Sequence, residues 1–151
     1  MSTSSVLRET IQQAIKDAMR AKEKARLSVL RMLSAEIKQK EVDQRITMDD
    51  AGIIQVIEKM LKQRRESKKQ YAQANRKDLA DQEQYEIGIL QVYMPTALTA
   101  DEIAALIQAA IKKSGASSAK DMGQVMAILR PQIQGRADMA AVSKQVKSEL
   151  S

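Results

Sequence analysis

Tyr93-Met94-Pro95-Thr96-Ala97-Leu98-Thr99-Ala100-Asp101-Glu102 is the stretch on which the reading of this chain turns. Pro95, one of two prolines, has no backbone N–H and disfavours helix at Met94. Thr99 carries the side-chain oxygen of a helix N-cap, and Glu102 three residues on completes a capping box. One helix is therefore expected to stop near Tyr93 and another to start at Thr99. Before this joint the segments are long and heavily charged; after it they are shorter and richer in Ala, Gly and Ser. The joint predicts two helical domains, residues 1–93 and 94–151, and its alternative is an ordinary helix–helix turn inside one domain.

Working outward from the joint, the apolar residues fall at three- and four-residue steps in both directions. Upstream, a fourth helix is expected over about residues 76–92, offering Leu79, Ile87, Leu90 and Tyr93 to a core. A third, over about 48–74, is expected to open with a Thr47/Asp50 capping box and to bury Ile53, Ile54, Ile57, Met60 and Leu61. The second spans about 25–43, and the first about 5–22, capped by Ser4 or Ser5. Downstream, a fifth helix is expected to end at Ser114-Gly115, with Gly115 as a left-handed cap. Ser118 and Asp121 should open a sixth, which Pro131 should end or bend, and Asp138 should start a last helix carrying Val142, Val146 and Leu150. Gly123 inside the sixth helix suggests close approach of another helix or of a ligand backbone.

The composition agrees with an all-α chain. With no Phe, no Trp and three Tyr, the core must be built from Leu, Ile, Val, Ala and nine Met, and no strand-like run of Val, Thr and aromatics occurs. The expected architecture is an N-terminal bundle of long helices built on an antiparallel hairpin, followed by a small C-terminal three-helix domain. No apolar run approaches 18 residues, so no membrane span is expected. Met1-Ser2-Thr3-Ser4-Ser5 lacks a signal-peptide pattern, and the chain has no cysteine; together these suggest a cytoplasmic protein.

The same inventory limits the chemistry. Without His or Cys, the usual zinc sets and the Ser-His-Asp and Cys-His arrangements cannot be built, and there is no phosphate-cradling glycine motif. No cofactor, metal site or catalytic residue is assigned, and no carboxylate pair stands out among 19 acids. The positive signal is charge. Lys59 to Lys77 holds eight Lys or Arg and one acid, whereas Asp78 to Glu86 holds four acids and no base. At 100° per residue, Lys59, Lys62, Arg65, Lys69 and Arg76 share one side, opposite Ile53, Ile57 and Met60. Such a face can neutralise successive phosphates, and without interleaved aromatics it suits the backbone and shape of folded RNA. The alternative is a solvated helix face balanced by Asp78, Asp81, Glu83 and Glu86. Arg64 and Lys68 instead continue the apolar stripe. They require either a helix end that projects beyond the bundle or acids from the fourth helix, with Glu83 and Glu86 as the candidates.

Several runs carry a family resemblance. They are Leu30-Arg31-Met32-Leu33 with Glu36-Ile37-Lys38, Lys62-Gln63-Arg64-Arg65-Glu66-Ser67, Asn75-Arg76-Lys77-Asp78-Leu79-Ala80, Glu83, Glu86-Ile87, Tyr93-Met94-Pro95, Met122-Gly123-Gln124-Val125-Met126 and Gly135-Arg136-Ala137-Asp138. The chain resembles the YqeY family, related to the C-terminal tail region of GatB, a subunit of the glutamine-dependent tRNA amidotransferase; Met94 stands where the family usually has Leu. The resemblance implies a tRNA-binding or tRNA-presenting protein linked to tRNA-dependent amidation. It also implies that the catalytic portion lies elsewhere, so that the isolated chain is not expected to catalyse. Two further readings remain: a module docking on an amidotransferase or synthetase, and an accessory carbon–nitrogen ligase with glutamine as amido-N-donor that needs partner subunits.

Overall fold

The periodic segments become seven α-helices and one short 3-10 turn, and no strand occurs among the described residues, 5–151, of the computed structural model. The chain is all-α. Its contacts divide it into two units, Met1–Met94 and Pro95–Ser151.

The first unit holds α1 (Val6–Arg20), α2 (Lys24–Gln44), α3 (Asp50–Gln73) and α4 (Lys77–Gln91). α1 packs along α2, and α3 along α4, as two helical hairpins. Ile11, Val29, Leu33, Ile37, Ile53, Ile57, Leu61 and Leu90 close the main core. Full burial of a Leu or Ile side chain such as Leu33 or Ile57 contributes about 1.5–3 kcal/mol. Ala14 and Ala18 meet Leu30 in a smaller cluster, where short side chains let α1 and α2 approach.

Each connection in this unit turns on a left-handed residue that is not glycine: Lys22 (φ 58°), Arg45 (φ 54°) and Asn75 (φ 57°). Only Asn is at ease there; Lys and Arg cost roughly 1–2 kcal/mol each, offset by the packing of the helices they join.

Ser5 caps α1, accepting from Arg8 N–H at 3.0 Å; Ser4 lies outside the described residues. The expected Thr47/Asp50 capping box does not form. Asp49 is the N-cap of α3, accepting from Gly52 N–H at 2.9 Å. The Asp50 carboxylate is taken by the Ser5 hydroxyl and by Leu7 N–H at 3.2 Å, which ties the start of α1 to the start of α3. Beside it, Glu41 accepts from Met48 N–H at 2.7 Å and from the Arg8 guanidinium. Burial alone would raise the Glu41 carboxyl, but the Met48 N–H and the Arg8 hydrogen bond and charge more than offset it and hold it below its ordinary value.

The second unit holds α5 (Ala100–Ser114), a 3-10 turn (Ala119–Asp121), α6 (Met122–Ile133) and α7 (Met139–Leu150) around Ile107, Val125, Leu129, Ile133, Val142 and Val146. Thr96–Leu98 is pinned to the turn before α7: Leu98 N–H donates to Arg136 O at 2.8 Å, and Arg136 Nε to Thr96 O at 3.0 Å. Gly115 (φ 71°) ends α5, and Asp138 caps α7 by accepting from Ala140 N–H at 3.1 Å. Pro131 does not end α6, which runs on to Ile133. A Cβ at Gly123 would meet no atom within 4 Å among the described residues, so no other helix makes a close approach there.

At α5 the capping box forms in full: Glu102 N–H to Thr99 Oγ1 and Thr99 N–H to Glu102 Oε1, both 3.1 Å. Those Thr99 hydrogen bonds hold the Glu102 carboxyl below its usual value. Thr99→Ala is expected to cost about 1 kcal/mol in chemical denaturation; an unchanged midpoint would mean the box adds nothing to stability.

Candidate nucleic-acid interface

α3 is 24 residues long, roughly 36 Å at the helical rise. Its buried side chains, Ile53, Val56, Ile57, Met60 and Leu61, all lie in the first half. The second half lies along α4 through polar groups instead.

That seam sorts the cations. Arg64 Nη1 lies 3.3 Å from Glu86 Oε2 and 3.5 Å from Glu83 Oε2, so the expected partners from the fourth helix are the observed ones. Glu83 is 8% exposed, and its Oε2 is buried and accepts no hydrogen bond. Burial raises its carboxyl above the usual value; Arg64 opposes that and the nearby Glu86 charge adds to it. Lys68, for which a projecting helix end or an acid was expected, forms no ion pair among the described residues. Its Nζ donates to Gln84 Oε1 at 2.6 Å, because Gln84 rather than a carboxylate stands opposite it.

The five sequence-derived residues are not all brought together. Lys59, Lys62, Arg65 and Lys69 are exposed along α3 and form no ion pair among the described residues. Arg65 Nη2 donates to the neutral Gln91 Oε1 at 3.0 Å. Lys59, one turn before Lys62, also lines a 440 Å³ groove with Lys40, Thr47 and Gln55. Arg76 is not on α3 at all. The helix ends at Gln73, Asn75 reverses the chain, and Arg76 becomes the N-cap of α4. There its guanidinium forks onto Asp78, with Nε–Oδ1 at 3.2 Å and Nη2–Oδ2 at 3.1 Å, and that hydrogen bonding holds the Asp78 carboxyl below its usual range. Two acids, Glu58 and Glu66, lie on the same side of α3 as these cations, neither of them ion-paired among the described residues.

Sequence reading left Lys68, Gln84 and Gln91 out of the site. Gln84 and Gln91 are two turns apart on one side of α4, a spacing that would have marked them once α4 was set against α3. Among the described residues no group of three His, Cys, Asp or Glu side chains could hold a metal ion, and no helix is long and apolar enough to cross a membrane.

A family model described as Yqey-like protein matches residues 8–150, nearly the whole of this helical array. The chain belongs to the YqeY family. Among curated proteins it is similar to one from Pyrenophora tritici-repentis named Altered inheritance of mitochondria protein 41, mitochondrial. That relative is 32% identical over 143 residues, which cover 91% of this chain and 77% of the relative. Proteins of the same name from Eremothecium gossypii and Vanderwaltozyma polyspora are 37% and 32% identical, over 63% and 56% of this chain. The chain spans about half the length of these two relatives, 54% and 46%. Their names correct the cytoplasmic expectation, since these relatives are named as mitochondrial proteins. A lack of cysteine rules out disulfides without specifying a compartment.

Proposed function

We propose that this YqeY-family chain binds folded RNA of the tRNA type through the exposed face of α3, presenting it for tRNA-dependent amidation without itself catalysing. One observation carries the reading: Lys59, Lys62, Arg65 and Lys69 form no ion pair among the described residues, while Arg64 beside them pairs with Glu83 and Glu86. Cations free of carboxylate partners and spaced along a rigid helix supply phosphate contacts that fix position without reading sequence. The resemblance to the GatB tail supports tRNA as the class of RNA.

The test is to load the full chain with total tRNA on a sizing column and raise the salt stepwise. Co-elution at low salt and release as salt rises is the expected result. Protein and tRNA eluting separately at about 50 mM salt would remove the reading.

A further inference from the structure

Three cations on neighbouring turns of α3 meet α4 in two different ways. Arg64 meets two carboxylates, Glu83 and Glu86. Arg65 and Lys68 meet two carboxamides, Gln91 at 3.0 Å and Gln84 at 2.6 Å. A carboxylate tether fixes a cation and cancels it; a carboxamide fixes it and leaves the charge intact. Lys69 stands beside them, exposed and without an ion pair among the described residues.

Arg65, Lys68, Lys69, Ala72, Gln84 and Ile87 line one groove of about 400 Å³ between the two helices. Ile87 is a buried member of the main core and gives the groove a fixed apolar wall. None of the lining residues is acidic. Lys68 has two further N–H donors beyond the one given to Gln84, and Arg65 has several beyond the one given to Gln91. Oriented donors, three positive charges and no acidic lining residue in one concave site form a receptor for a compact oxyanion such as a phosphodiester.

We propose that Arg65, Lys68 and Lys69 form a binding site for one phosphoryl group in the α3–α4 groove, with Gln84 and Gln91 as the positioning residues that orient the first two cations. The proposal rests on the reading of α3 as an RNA-binding face and narrows it to a single subsite, in which Lys68 takes a role that the helix-face pattern denied it. The phosphoryl group is a backbone phosphate of folded RNA.

The probe is inorganic pyrophosphate, titrated into the full chain at constant ionic strength while the side-chain N–H signals of Arg65, Lys68 and Lys69 are followed by NMR. Arg31, exposed on α2, is the reference. Saturable shifts at Arg65 and Lys68, absent at Arg31, are expected. The Q84E/Q91E double variant keeps both acceptors and adds two negative charges. Both positions are exposed, so the fold is retained, and pyrophosphate binding should weaken about tenfold or more. Shifts at Arg65 no larger than at Arg31, or a double variant that binds as tightly as the parent chain, would overturn the site. A folded RNA hairpin added to the pyrophosphate complex separates the two ideas. Displacement supports both. Hairpin binding with no pyrophosphate shift at Arg65 leaves the RNA reading and removes the subsite. A hairpin that binds the chain without disturbing bound pyrophosphate leaves the RNA reading and overturns the subsite, whereas pyrophosphate binding by a chain that binds no hairpin removes the RNA reading.

Discussion

Arg64→Met is expected to lower stability by about 1–3 kcal/mol at pH 7 and by clearly less at pH 4. The guanidinium stands 3.5 Å from Glu83 Oε2 and 3.3 Å from Glu86 Oε2, and without it two carboxylates share a poorly hydrated seam. Removing one partner of a fully buried pair costs about 3–5 kcal/mol. The Arg64 side chain keeps 28% exposure, so solvent screening brings the figure down. The pH dependence follows from Glu83. Its folded carboxyl is raised above the ordinary 4.5 by burial, so the stability tied to its protonated form is complete below 4.5 and is lost as pH rises through the folded value. Losing Arg64 lifts the folded value further and deepens that loss at neutral pH. At pH 4 the proton supplies what the guanidinium supplied. Urea melts of both proteins at the two pH values read the difference, and Glu83→Gln in the Arg64→Met background should recover at least half of the deficit at pH 7. Equal deficits at pH 4 and pH 7 would mean that Arg64 contributes only packing.

The Arg64 cluster also marks what could be read from the sequence and what could not. Its partners were legible, because a cation on the apolar stripe needs an acid and the fourth helix offered two. The helices themselves were legible because a 3.6-residue apolar period leaves little choice in a chain without strand formers. The Thr99 box was legible because both of its halves lie within four residues. What failed was non-local. Thr47 and Asp50 have capping-box spacing, but Asp50 spends its carboxylate on Ser5 and Leu7, more than 40 residues away, leaving the cap to Asp49. The helix ends near Lys22 and Arg45 were placed to within two residues by the apolar period, although no glycine stands at either. Arg76 shares the angular face of α3 only if the helix continues, and Asn75 ends that continuation. Lys68 looked like a core-facing charge in need of an acid, and only the position of Gln84 on the neighbouring helix shows a neutral tether.

Replacing Lys62, Arg65 and Lys69 together by Ala is expected to weaken folded-tRNA binding by roughly tenfold or more at physiological salt, with little change in stability. All three side chains are exposed and none forms an ion pair among the described residues, so their loss leaves no orphaned charge. Exposed substitutions of this kind usually stay within about 0.5 kcal/mol. Each cation that contacts a phosphate releases counterions on binding and adds about 0.7–0.9 to the slope of log affinity against log salt. Lys59 and Lys68 remain in the variant and should preserve residual binding with a shallower salt dependence. The deciding measurement is that slope, taken by fluorescence anisotropy with one folded tRNA and the full chain between about 50 and 200 mM salt, for the parent and the triple variant. The account predicts a slope shallower by about 2–3 in the variant. Equal slopes for the two proteins, with binding intact, would contradict it and leave the α3 cations as a solvated helix face.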